Sequence, residues 1–515
     1  MSSLKKTALI ITTITLCSKL LGFGREIVLA YFYGTSYIVD AYLMAITIPE
    51  ILFGWLGTIA ISYTPIYTEI KVNSGKEKSD IFTNNIITVV SIIAVVCILL
   101  GTAFSRQIVN ITAPGFEGDT YSLTIHFLKI YMWSVLVTSL IRVFTSYLNC
   151  NNRFFQSNIS TLALSSIQMI VIFISGITTN EQVLIYGVLI SNIAQLIILY
   201  LFSNKNGLRV NILIEIKPEL KSAFIIAGPI FISSMIMQIN IFVDKMFASQ
   251  LIEGSIAALN YSSIIRQFIF FVFSIAITTM IYPMLSQCIS EHNIDRAKEI
   301  FSKGINIIIV LFVPITIGAI ILSEPAISFV YERGEFGHES TIMTTSAFVM
   351  YTIGLLPLAA RDVITKVFYS MQDTKPAMYL GIMAVLLNIL LNILFIKPLG
   401  HVGLALATSL SEIITLPLFF IFLRKKIGGM GLKNMSILFI KSCISSLIMG
   451  VVVYFGFKTL SLLLGNGSIT ILLSIAITAC IGGVTYFILM ISMKVKEMDF
   501  FMDTLKDVIS KYKKM

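Results

Sequence analysis

The sequence predicts an all-α polytopic membrane protein of about fourteen transmembrane helices, and three observations carry that reading. Of 515 residues, 56% are hydrophobic and only 12% are charged, whereas a soluble chain is about a quarter charged. The mean hydropathy is +0.90. The apolar residues fall in long runs between short polar breaks, and a helix crosses a bilayer with ~20 such residues. These features exclude a soluble enzyme, a nucleic-acid binder and a disordered chain. The formal charge of +10 therefore reads first as membrane topology rather than as a patch for nucleic acid.

The first run, 9–31, follows Lys5 and Lys6 and is too long for the core of a cleavable leader, so it is expected to remain as span one. Spans two to eight are placed at 38–66, 82–104, 121–149, 157–178, 182–203, 222–251 and 255–287. Six more follow at 303–330, 341–371, 377–396, 401–423, 435–460 and 468–492. The longest runs must tilt, kink or project from the bilayer. Pro49, Pro65, Pro229, Pro283, Pro314, Pro357 and Pro417 lie inside them. Each removes a backbone hydrogen bond, which a membrane tolerates where neighbouring helices or water satisfy the freed carbonyl. From Lys494 a tail mixes lysines with Met498, Phe500, Phe501, Leu505, Val508 and Ile509, the pattern of a short amphipathic helix on an anionic lipid surface. The expected organisation is an N-terminal lobe over 1–210, a C-terminal lobe over 211–430, two added helices over 431–493 and a cytoplasmic tail over 494–515.

Orientation follows from the basic residues. With the N-terminus inside, the inner loops and tail hold twenty-four Lys and Arg, and the outer loops hold four: Arg106, Arg333, Lys397 and Lys458. Both termini are therefore expected in the cytoplasm.

Several charges fall within the spans, where each costs ~2.5–3.5 kcal/mol at the bilayer centre. The cations hardest to dismiss are Lys19, Arg25, Arg142, Lys245 and Arg266; the acids are Glu26, Asp40, Glu50 and Asp244. Arginine binds phosphate bidentately and loses less hydration than lysine, so cations at several depths suit an anionic cargo. The competing reading is internal neutralisation, Arg25 by Glu26 or Asp40 and Lys245 by Asp244. Arg142 and Arg266 have no adjacent acid and are the better candidates for cargo. Gly22 and Gly24 loosen span one beside Arg25, as a gating hinge requires.

Arg25 precedes Tyr42 by seventeen residues, and Asp244 precedes Tyr261 by the same interval; both intervals cross a short turn with a glycine, Gly34 or Gly254. Such repetition is what internal duplication leaves in transporters and predicts two six-helix lobes around a central cleft, plus two extra C-terminal helices. The four histidines lack metal-ligand spacing, and the six cysteines read as small apolar residues rather than as a disulfide or zinc set. No nucleotide motif or catalytic constellation appears. The expectation is a non-enzyme without cofactor, coupled to the membrane potential or a monovalent cation.

The motifs then resemble a family. The stretch Leu21–Leu52, the stretch Val243–Tyr261 and above all the blocks Val330–Phe336, Val367–Tyr379 and Gly403–Ile413 resemble the lipid II flippases of the MurJ/MviN family, in the multidrug/oligosaccharidyl-lipid/polysaccharide exporter superfamily. The resemblance implies transport of an undecaprenyl-pyrophosphate-linked peptidoglycan precursor from inner to outer leaflet by alternating access. It further implies a cationic cleft for the pyrophosphate, a lipid-tail groove made with the last two spans, membrane lipids and cell wall synthesis enzymes as partners, and a bacterial cytoplasmic membrane location. Arg25 matches the family's arginine on span one and Asp40 its acid on span two. Glu26 stands where aspartate is usual, and Asp244–Lys245 matches an acid–base pair in which lysine replaces arginine. The chain also departs from the pattern. Where the family commonly has two arginines and then FAEGA, it has Phe53 to Ala60 without a cation, and the usual YADR reads Tyr261, Ser262, Ser263, Ile264. Arg266 lies roughly 200° around a helix from position 264. The thinned cation set leaves a different polyprenyl-linked glycan (teichoic acid, capsule or exopolysaccharide unit) as the alternative cargo. A cation-coupled drug antiporter and a non-transporting scaffold are the further rivals.

Overall fold

The computed structural model describes residues 2–212, 221–223, 225, 238–465 and 467–498. The described residues are helical throughout their regular structure. Most of the first half of the expected seventh span, with Pro229, and the tail beyond Met498 lie outside the described residues.

The chain divides into two compact units, Met1–Ala257 with Arg333–Gly337, and Ala258–Glu332 with His338–Met515. The first contains α1 (Ser2–Tyr33), α2 (Tyr37–Phe53), a 3-10 turn (Gly54–Thr58), α3 (Ile59–Ala103) and α4 (Ser105–Thr112). It continues with α5 (Gly118–Tyr131), α6 (Ser134–Cys150), α7 (Phe154–Thr178), α8 (Glu181–Lys205) and α9 (238–248). The second contains α10 (Ser255–Ser290, from Ala258 on), α11 (Ile294–Ile321), α12 (Ser323–Tyr331), α13 (His338–Ile353) and α14 (Leu355–Ser370). Its remaining elements are α15 (Lys375–Ile427), α16 (Leu432–Leu464) and α17 (Ser468–Ser492). The sequence places a lobe boundary near 210; the packing groups α9, with Asp244 and Lys245, with the first unit.

Among the described residues eight helices are long and apolar enough to cross a membrane, and up to ten if two bent pairs each make one span. Length and apolarity alone therefore do not reach fourteen. Part of the difference is that two pairs of expected spans are joined across kinks, and most of the first half of the expected seventh span lies outside the described residues. Expected spans two and three run together over Tyr37–Ala103, through the 3-10 turn and a kink at Gly75 with φ 85°. Expected spans eleven and twelve run together in α15 and are separated by Gly400 at φ 57°. The single spans expected at 121–149 and 341–371 are each a helix pair, bent by 43° between α5 and α6 and by 44° between α13 and α14.

In the first unit α7 packs on α1 and α8, and α3 packs on α6. Small residues set these distances, as expected where lipid offers no hydrophobic drive between helices. Phe32 of α1 fills the space over Gly176, where a Cβ would stand 2.1 Å from its ring. The second unit is built round Phe301, Phe312, Leu355, Phe368, Phe419 and Leu423, all buried. Val495 and Met498 join that core, Glu497 accepts from Asn306 Nδ2 at 2.6 Å and Lys441 Nζ donates to Met493 O at 2.8 Å. The first residues of the tail thus meet α11 through Glu497.

Candidate functional site: buried charges and a cavity in the first unit

The turns of the first unit explain how its charges are held. Gly34 ends α1 with φ 55°, and Gly254 precedes α10 with φ 83°, conformations that a side chain disfavours. There is no room for one either: a Cβ at Gly34 would lie 2.4 Å from Glu335 O, and one at Gly254 2.2 Å from Thr35 O. The same loops are tied by Glu335 N donating to Tyr31 O at 2.9 Å and Tyr37 N donating to Glu253 Oε1 at 2.8 Å. Both glycines of the repeated interval thus sit in left-handed turns.

Asp40, one turn into α2, is 3% exposed. Its two oxygens accept from Gly254 N and Ala257 N, each at 2.8 Å. A helix start leaves such N–H groups without intrahelical partners, and a carboxylate from another helix satisfies them. Asp40 is therefore engaged by backbone, and neutralisation of Arg25 falls to Glu26. Arg25 Nε donates to Glu26 Oε1 at 3.1 Å, Nη2 makes a second, shorter contact to the same oxygen, and Nη1 donates to Gln168 Oε1 at 2.7 Å. Lys245 reaches α2, where its ammonium donates to Leu43 O at 3.2 Å and to Thr47 Oγ1. It also interacts electrostatically with Glu50, Glu26 and Asp40. Asp244 is half-buried on the same helix.

Arg142 has an acid that sequence adjacency does not reveal: its Nη2 stands 3.9 Å from Glu50 Oε1. This is ion-pair range but beyond a hydrogen bond. The two side chains are 52% and 57% exposed, so the pair is weak and the guanidinium remains available. Both line a cavity of about 90 Å³ with Tyr131, Ser134, Thr138 and Ser139. Gly57 of the 3-10 turn lies beneath the arginine, where a Cβ would fall 2.4 Å from Arg142 Cδ. Gly57→Ala is expected to push Arg142 out of the cavity and lower activity several-fold while membrane levels stay normal, checked by quantifying both in the same cells. A guanidinium beside four hydroxyls can hold anionic oxygens, and the volume exceeds the ~10–15 Å³ that one water needs.

The other expected residues do not line this cavity. Lys19 is exposed on α1. Gly22 has nothing within 4 Å of a built Cβ and Gly24 only Met169 Sδ at 3.8 Å; α1 runs through both without a break. Arg266 belongs to the second unit, where Glu412 stands 3.8 Å away. Sequence reasoning overlooked Glu412 and Gln168 and left Arg361, a cation within the run 341–371, out of the candidates. Glu412 carried a usable signal: it is the one acid in the apolar run 401–423. Among the described residues no group of three His, Cys, Asp or Glu could hold a metal ion, and all six cysteines are free thiols.

The family model described as "Lipid II flippase MurJ" matches residues 29–474. The probable lipid II flippase MurJ of Rickettsia prowazekii is 28% identical over 431 residues, covering 82% of this chain and 84% of that protein. The probable lipid II flippase MurJ of Buchnera aphidicola subsp. Baizongia pistaciae is 30% identical over 436 residues, covering 82% and 83%. Among solved structures, a lipid II flippase MurJ in an inward closed conformation matches with a TM-score of 0.80 at 25% identity, over 94% of this chain and 99% of that one. An inward-facing multidrug resistance MATE family transporter of the MOP superfamily matches with a TM-score of 0.67 at 13% identity, over 82% and 98%, a likeness of fold.

Proposed function

Because the chain belongs to the lipid II flippase MurJ family, we propose that it carries lipid-linked peptidoglycan precursor from the inner to the outer leaflet of a bacterial cytoplasmic membrane. It is a multi-pass membrane protein of a transporter family, read here with both termini inside and with no cofactor. The observation that carries the reading beyond kinship is the cation set of the first unit. Arg142 is held only loosely by Glu50 at 3.9 Å, at a hydroxyl-lined cavity. Tyr131, which lines that cavity, interacts electrostatically with both Glu50 and Arg25. A pyrophosphate offers more negative charge than Glu50, and a guanidinium fork matches its oxygens. Arg142 then engages it first, with Arg25 and Lys245 as further cations of the same unit. Arg142 also supplies a cation beside Gly57, in the Phe53–Ala60 segment that has none of its own.

The driving force is assigned to the membrane potential or a monovalent cation. The test is outer-leaflet exposure of lipid II on spheroplasts depleted of their own flippase and supplied with this protein. An externally added enzyme that cleaves the lipid II head group reports the exposure. Restored cleavage supports the proposal. No cleavage by a well-inserted protein, with exposure of another polyprenyl-linked glycan instead, transfers the same machinery to that cargo.

A further inference from the structure

Arg266 on α10 and Arg361 on α14 face one carboxylate, Glu412 on α15, inside the second unit. Arg266 Nη1 is 3.8 Å from Glu412 Oε2, and Arg361 Nη2 is 3.9 Å from Glu412 Oε1. Both separations allow attraction between charges, yet neither is a hydrogen bond. The side chains of Arg266, Glu412 and Arg361 are 12%, 7% and 27% exposed. Nε and Nη1 of Arg266 and Oε2 of Glu412 are buried without any hydrogen-bond partner. The ring of Tyr351, 4.9 Å from the guanidinium carbon, supports the face of Arg266 and leaves its N–H edge free. Among the described residues no second acid pairs with either arginine.

The cluster therefore has two positive charges against one, with unused guanidinium donors in a membrane-embedded helix bundle. Buried donors without partners are rare, and a buried surplus cation is costly. A cation is a poor occupant beside two guanidinium groups, and a water would satisfy donors without balancing charge. We propose that Arg266, Arg361 and Glu412 form an anion site that takes one small anion, either a free halide or a terminal oxygen of a phosphate. Arg266 supplies the open N–H groups, Arg361 the second charge, and Glu412 sets the spacing of the two arginines while keeping the affinity moderate. The three side chains of this site all belong to the second unit.

The charges predict shifts of opposite sign, which a merely structural role does not. The full chain, purified in lipid nanodiscs, is melted across a titration of sodium chloride at ionic strength held constant with sodium gluconate, and in parallel with sodium pyrophosphate. The wild type is expected to be stabilised in a saturable manner. Arg361→Gln should raise the half-saturating concentration about tenfold, and Glu412→Gln should lower it about tenfold. Saturation by chloride identifies a free halide as the source. Saturation by pyrophosphate alone, moved by both variants, identifies a phosphate oxygen. Chloride and pyrophosphate no better than gluconate overturn the site. So does a half-saturating concentration unmoved in both variants, whatever happens to their baseline stability.

Discussion

Arg25→Ala is expected to abolish outer-leaflet exposure of the lipid-linked precursor in the spheroplast assay. The difficulty lies in separating a transport defect from a folding defect. Arg25 bonds Glu26 and Gln168, and Glu26 is 5% exposed. Removing the cation strips a buried carboxylate of its adjacent counter-charge. Breaking a buried pair costs about 3–5 kcal/mol, but the Arg25 side chain is 32% exposed, so solvent screening reduces the expected loss to about 2 kcal/mol. That loss is tested by the double variant Arg25→Ala/Glu26→Gln, which removes the orphaned charge. Its melting temperature should return towards the wild type while precursor exposure stays absent. Exposure restored along with stability would assign Arg25 to the scaffold. Arg25→Lys offers a second arm: it keeps the charge but loses the planar fork, and should retain stability with exposure reduced about tenfold.

The fold was largely legible because its main determinant, burial of long apolar runs, is written in one dimension. Every expected span among the described residues lies on helix, and the turns at Gly34 and Gly254 sit where the repeated interval places them. What could not be read is where helices bend without ending. Gly75 and Gly400 take positive φ at kinks in the breaks that the sequence leaves between spans, 67–81 and 397–400, whereas the 43° and 44° bends fall inside the single spans expected at 121–149 and 341–371.

The candidate site divides in the same way. The charged residues stand out because each is costly in an apolar run, so Arg25, Arg142, Lys245 and Arg266 are visible individually. Their partners are not, because pairing is decided between helices. Sequence proximity offers Asp40 to Arg25, yet Asp40 turns to a backbone more than two hundred residues away. Arg142 and Arg266 lack acids nearby in the chain and find Glu50 and Glu412 in space. The gain is therefore a matter of partners rather than of members: the structure sorts one list of charges into a loosely held pair at a cavity, a tight pair with a glutamine, a backbone clamp and a triad.

That clamp leads to the largest stability effect expected in the chain. Asp40 accepts two backbone N–H groups at the start of α10, each at 2.8 Å, and it is almost fully buried. Hydrogen bonds to a charged group contribute about 1.5–3 kcal/mol each, and a donor left unpaired when buried is penalised in addition. Asp40→Ala should therefore cost about 3–5 kcal/mol and lower the melting temperature of the purified protein by many degrees. Asp40→Asn keeps one carbonyl oxygen as acceptor but turns an NH2 group towards the other N–H, so about half that loss is expected. The two substitutions also decide what kind of residue Asp40 is. If it works as a clamp, transport falls in step with the folded fraction, Ala below Asn, and recovers at lower temperature where the fold is regained. If its charge instead serves the cargo-binding cations, Asn should lose transport at near-normal stability. The geometry favours the first outcome, since both oxygens are already committed to backbone.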